Sequence, residues 1–221
     1  LRAAALPVGG RVAQHVVEAV ARSVPVVVVS RPMRSKLVDT INNDDRLGAE
    51  LATEHLVSLG HRHICHIEGG RGAGAAQRRA GYEAVMRRHG LVPHVESAAF
   101  TEASGAAAAQ RALDRGTACT AVFAGNDLSA LGALDVIEES GFAVPDDISL
   151  VGYDNTYVGA LRHIGLTSID QHRDELGELA VSALIERIEG TRSEAMHVVI
   201  PPSLVVRSTT GPPPSYRKFS K

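Results

Sequence analysis

Apolar positions along this chain keep two rhythms. In one they recur three or four residues apart, and in the other they come in short, β-branched runs. Val12, Val16, Ala19 and Val20 mark a first helical stripe, and residues 25–30 (PVVVVS) follow as a strand buried on both faces. Leu47, Leu51, His55 and Leu59 define a second helix that Gly60 stops. Residues 64–67 form the next strand and run into a glycine-rich turn, GGRGAG at 69–74. The helix after it turns Tyr82, Val85 and Met86 inward and ends at His89-Gly90. Then come an alanine-rich helix at 103–115, a strand at 121–124, and a helix carrying Leu131, Leu134 and Ile137, with Asp127 as its N-cap and Gly141 as its stop. Pro145-Asp146-Asp147 turns the chain into a strand at 148–153. Leu176, Ala180, Ala183, Leu184 and Ile188 give a last amphipathic helix, closed by Gly190. Residues 198–206 read as extended but are interrupted by Pro201-Pro202, and the proline-rich tail 211–221 is expected to be disordered. Strands alternating with helices predict an α/β fold of parallel βαβ units.

In an open parallel sheet, ligands bind outside the carboxyl ends of the strands. The polar residues just past strands are Arg31, Asn43, Asp44, Arg78, Asn126, Asp127, Asp154 and Asn155. Composition narrows the partners. At 221 residues, 44% hydrophobic, 22% charged and a formal charge of −2, the chain fits one large domain or two lobes. It carries too much apolar surface for a disordered protein and too little positive charge for a nucleic-acid surface of its own. Its apolar runs fall far short of the ~20 residues of a membrane span. Two cysteines, Cys65 and Cys119, make no disulfide framework and point to a reducing compartment. The chain starts at Leu1 without a basic, then apolar, leader, and we expect it to be a shortened form of a longer protein.

The glycine turn follows a strand and opens a helix, which invites a nucleotide reading. It lacks the Gly-Lys-Ser/Thr ending of a P-loop, and Arg87-Arg88-His89 stands where a dinucleotide fold wants an acid. The glycines are read instead as a flexible loop at a cleft. His61, His63 and Cys65 would share one strand face, with His66 on the other, but no further ligands complete a metal site. Neither a Gly-x-Ser-x-Gly elbow nor a cysteine with its histidine and acid is present, so no catalytic residues and no cofactor are assigned. Arg78 is either a solvated helical arginine or a bidentate donor to ligand oxygens. Asp154 is either a loop aspartate in an Asx-turn or an acceptor for ligand hydroxyls, and Phe100 is either core or a stacking platform.

Five segments together carry a specific resemblance: LGAELATEHLVSLGHRHICHIEGG (47–70), RRAGYEAVMRRHGL (78–91), AVFAGNDLSALGAL (121–134), VPDDISLVGYDN (144–155) and LTSIDQ…LGELAVSALIERIEG (166–190). They resemble the LacI/GalR family of bacterial transcriptional repressors over about residues 25–210. The part resembled is the effector-binding and dimerisation core, whose fold is that of type I periplasmic sugar-binding proteins. The resemblance implies two lobes joined by three crossings, each a parallel sheet flanked by helices. One lobe would hold 1–60 and 171–192, and is partial because the resemblance starts midway through it. The other would hold 61–170 and 193–210. Effectors of the family sit between the lobes. The resemblance makes Arg78 the ligand-clamping arginine, Phe100 the stacking aromatic, and Asn126 and Asp154 hydrogen-bonding groups, while Gln171 lies at a crossing and contacts the ligand. At Asn43-Asp44 relatives commonly read Asp-Asn, so an amide at Asn43 replaces the usual acceptor in the first lobe.

The implied function is a ligand-sensing and dimerisation domain, cytoplasmic and homodimeric. It would bind a small polar effector (sugar, sugar phosphate or nucleobase) and reach operator DNA only through a helix-turn-helix missing from this sequence. A periplasmic sugar receptor of a transport system is the alternative on the same fold, and an enzyme on that scaffold is a third reading. Arg78→Ala and Asp154→Ala are expected to abolish effector binding with little loss of fold.

Overall fold

The computed structural model describes residues 13–115 and 119–214. Val12 of the first helical stripe and the tail from residue 215 lie outside them. In chain order the elements are α1 (Gln14–Ala21), β1 (Val27–Val29), β2 (Asp39–Asn43), α2 (Asp45–Ser58), β3 (Ile64–Ile67), α3 (Ala75–Arg88), β4 (His94–Glu96) and α4 (Glu102–Asp114). They continue as β5 (Ala121–Ala124), α5 (Asp127–Glu139), β6 (Ser149–Tyr153), β7 (Thr167–Asp170), α6 (Arg173–Glu189), β8 (His197–Ile200) and β9 (Ser203–Val205). The chain is an α/β protein of two compact units, Leu1–Asp44 with His172–Ile200 and Asp45–Gln171 with Pro201–Lys221.

The first unit is a parallel sheet in the order β1-β2-β8. Val17, Val26, Met33 and Val38 form one cluster under α1, and Ile41 and Ile200 pack with Leu176 of α6. β1 was expected to be buried on both faces, yet its three valines are half-buried. Among the described residues it pairs only with β2, as an edge strand does. Its neighbour β2 (DTINN) shows no apolar pattern and escaped the sequence reading, yet all five residues are buried. Long-range polar partners make that burial tolerable. Arg192 holds the Asp39 carboxylate through two nitrogens at 2.8 and 3.0 Å, the Met196 N–H adds a bond at 2.6 Å, and Thr40 pairs with His197.

The second unit has six strands in the order β4-β3-β5-β6-β7-β9, all parallel except β9, which runs antiparallel to β7. On one face α4 and α5 pack Ala108, Ala109, Ala112, Ala130, Ala133 and Ile137 onto Ile67, Val122 and Leu150. On the other, α2 and α3 bring Ala49, Ala52, Leu56, Tyr82, Val85 and Met86 onto Phe123, Val151 and Ile169. The strand order reverses at β3: the chain leaves it for β4 on one side and later returns to β5 on the other. Such a switch point opens a crevice at the carboxyl ends of the two strands.

Three expectations are corrected. The boundary expected after residue 60 lies between Asp44 and Asp45, because α2 packs on α3 and the larger sheet. The segment 193–210 does not belong to one lobe: β8 pairs with β2 while β9 pairs with β7, and Pro201-Pro202 stands where the chain passes between units. On α2 the buried face is Gly48, Ala49, Ala52, Thr53, Leu56 and Val57, while Leu47 of the expected stripe is exposed. Gly60 does stop that helix, at φ +104°. The described start of the tail is pinned rather than loose, since the Gly211 N–H donates to Ser149 Oγ and its carbonyl lies 2.9 Å from Nε2 of buried His61.

Candidate functional site

Five of the six residues singled out from the sequence (Arg78, Phe100, Asn126, Asp154 and Gln171) belong to the second unit. Asn43 belongs to the first, buried at the end of β2 in register with Ile200. Of the five, Arg78 is the hub. It sits in the first turn of α3 with its side chain only 6% exposed, so the solvated-arginine reading fails. Its Nε donates to Asp45 Oδ1 at 2.8 Å, its terminal nitrogen donates to the Gly125 carbonyl at 2.6 Å, and Asp154 Oδ1 stands 3.7 Å away. The guanidinium carbon lies 3.6 Å from the Tyr153 ring centroid and 5.2 Å from that of Phe100. Charge, hydrogen bonds and aromatic faces therefore fix its fork at the switch point. Asp45 and Tyr153 were missed by the sequence reading. Asp45 begins a helix and looks like an ordinary first-turn acid, and Tyr153 reads as core; only the tertiary fold puts them against Arg78.

The glycine turn receives a steric explanation. Side chains on Gly69 and Gly72 would place a Cβ 1.9 and 2.3 Å from the Phe100 ring, and one on Gly125 would stand 3.0 Å from it. The ring thus lies in a cradle whose walls are bare backbone. Gly74 has φ +76°, and a Cβ there would meet the Asp45 carboxylate at 2.4 Å. The loop is a fitted seat for one aromatic ring and one acid, not the flexible loop expected.

Asn126 is the N-cap of α5, accepting from the Ser129 N–H at 2.9 Å, and its amide nitrogen reaches the Phe100 carbonyl at 3.4 Å. Asp127 had been expected as the cap. Instead it is fully buried and accepts from the Ser168 hydroxyl at 2.6 Å and from the Thr156 N–H and hydroxyl at 2.6 and 2.8 Å. Burial pushes its carboxyl above the usual range against the pull of those bonds. Asp154 has φ +107°, and Gln171 donates to its Oδ1. Arg78, Asp154 and Gln171 thus form a chain of contacts with Phe100 and Tyr153 beside the guanidinium. Asn126 joins through Phe100.

Among the described residues, no group of three His, Cys, Asp or Glu side chains is placed to hold a metal ion. His61 turns into the core between Thr120 and Ser149 rather than sharing a strand face with His63 and Cys65. Among the same residues no helix is long and apolar enough to cross a membrane.

Residues 53–210 match the periplasmic binding protein-like domain family. Over 204 residues, 89% of this chain and 60% of the relative, the sequence is 34% identical to the HTH-type transcriptional repressor PurR of Klebsiella pneumoniae. The chain thus spans about 60% of that repressor's length. A LacI transcriptional regulator from a Rhodococcus species is 41% identical and superposes with a TM-score of 0.88 over 92% of this chain and 76% of that one. A LacI family regulator from Enterococcus faecium, with bound ribose, gives 28% identity and a TM-score of 0.78 over 85% and 71%. With this fold and this degree of identity, the chain belongs to the LacI family of transcriptional regulators and carries its periplasmic binding protein-like domain.

Proposed function

We propose that this chain is the effector-sensing and dimerisation part of a cytoplasmic transcriptional regulator, a binding module rather than an enzyme. Occupancy by a small molecule would change the whole regulator's affinity for operator DNA, as a free-energy coupling between two sites. The observation that carries this reading is the fixed guanidinium of Arg78 at the switch point, flanked by Asp45, Asp154 and the Phe100 ring. Asp154, with Gln171 behind it, offers carboxylate oxygens to ligand hydroxyls, and the ring offers a flat apolar face.

The charge of this cluster selects among effectors. One guanidinium faces the two carboxylates of Asp45 and Asp154, an excess of negative charge and a poor counterpart for a phosphate or carboxylate. We infer a neutral polyhydroxylated effector, a monosaccharide in preference to a sugar phosphate, and the ribose bound by the Enterococcus relative is of that class. Thermal unfolding of the chain against ribose, other neutral sugars, sugar phosphates and nucleobases tests this. A ligand that binds only the folded state at 100 times its dissociation constant adds about 2.7 kcal/mol. Neutral sugars should raise the midpoint, and Asp154→Asn should remove the rise. A response to phosphorylated ligands alone, or an undiminished response in Asp154→Asn, would overturn the assignment. Arg78→Ala is less informative than the sequence suggested, because it also strips a buried partner from Asp45.

A further inference from the structure

The two cysteines, without evident role in the sequence, lie together in the core of the second unit. Cys65, on β3, is 1% exposed, and Cys119, just before β5, is 8% exposed. The Cys65 thiol donates to the Cys119 sulfur, whose own thiol faces the Ala121 carbonyl at 3.0 Å. This hydrogen bond raises Cys65 and lowers Cys119. Cys65 and Cys119 are among the residues that line one pocket of about 190 Å³, together with His63, Ile64, Val92 and His94. His94 stands opposite Cys65 in the β3–β4 register, and its Nε2 is buried without a hydrogen-bond partner. Two adjoining thiols, a pocket and an unsatisfied ring nitrogen thus meet at one place, away from the Arg78 cluster at the strands' carboxyl ends.

We propose that Cys65 and Cys119 are an oxidant-responsive thiol pair that closes to an intramolecular disulfide when a peroxide enters this pocket. Cys119, at 8% the more exposed of the two, is the attacking sulfur. Its electron pair breaks the O–O bond of the peroxide, and its proton passes to the departing hydroxide. A sulfenic acid forms on Cys119, and one water leaves when hydrogen peroxide is the oxidant. The Cys65 sulfur then attacks the sulfenic sulfur, its proton leaves with the hydroxide as a second water, and the S–S bond closes. Overall two thiols and one hydrogen peroxide give one disulfide and two waters. Cys65, at 1% exposed the less accessible of the two, acts as the resolving partner.

The test is native-state oxidation of the whole chain with hydrogen peroxide, followed by thiol titration after denaturation, intact mass and peptide mapping. Both titratable thiols should disappear, the mass should fall by two hydrogens, and a Cys65 peptide should be linked to a Cys119 peptide until a reductant is added. Cys65→Ser should stop at a sulfenic acid on Cys119 that dimedone captures, and Cys119→Ser should leave Cys65 titratable over the same period. Persistence of both thiols, a disulfide between two chains, a gain of oxygen without a crosslink, or Cys65 oxidising unhindered in Cys119→Ser would each overturn the proposal. Should either variant lose its native circular dichroism, the wild-type mass and map decide.

Discussion

At the scale of single residues, the site is built from close approaches that leave no room for a Cβ. Phe100 rests where Gly69 and Gly72 present bare backbone, so Gly69→Ala must push the ring out or distort the loop. We expect a loss of about 1–3 kcal/mol in stability. Weakened effector binding should accompany it, because the displaced ring also lies beside the Arg78 guanidinium. Denaturant titration and ligand-induced thermal shifts measured on the same variant check both. Neutral behaviour in both would mean that the ring has no fixed seat. Family resemblance singled out Arg78, Phe100, Asp154 and Gln171, and the structure brings the four into one chain of contacts. Asp45 was not singled out, since an acid at a helix start has a sufficient local reason to be there.

At the scale of elements, α4 and α5 pack backbone against backbone. A Cβ on Gly132 would come 2.1 Å from the Glu102 carbonyl oxygen, and one on Gly105 would come 2.2 Å from that of Ser129. Gly177, exposed within α6, has nothing within 4 Å. The same Gly→Ala change should therefore have opposite signs. Gly132→Ala forces two helices apart and should cost at least about 1–3 kcal/mol, whereas Gly177→Ala should add up to about 1 kcal/mol through helix propensity. Equilibrium unfolding of the pair checks the contrast, and equal effects would contradict the packing. Helix existence was readable from periodicity throughout. Which face is buried was not: the apolar stripe of α2 pointed to Leu47, but the small residues Gly48, Ala49 and Ala52 allow the close approach that α3 requires.

At the scale of the whole molecule, buried histidines set the response to acid. His66, stacked on Phe123 at 4.7 Å and bonded to its carbonyl, is held by burial down to about 4. Burial also lowers His61 and His55. A histidine lowered in the folded state takes up its proton first in the unfolded chain. Stability should therefore fall as pH drops from about 6.5 toward 4, by roughly 3 kcal/mol for His66 alone. Asp127, raised by burial, works in the opposite direction nearer the carboxylate range. Urea unfolding at steps between about pH 7 and pH 4.5 should show this slope, and His66→Gln should flatten it. A flat profile in the wild type would mean that His66 is hydrated.

Local sequence determined the order of most helices and strands, their glycine stops and the α/β class, because propensity, capping and periodicity act within a turn or two of the chain. It could not determine partners. The polar strand β2 is buried only because Arg192 and His197 come to it from more than 150 residues away. One extended run became β8 and β9 in two different sheets. Arg78 became a fixed hub, and the two cysteines, far apart in sequence, became neighbours, once the strand order brought β3, β5 and β6 side by side. Those outcomes depend on desolvation and on pairing between groups far apart in sequence, which only the tertiary structure decides.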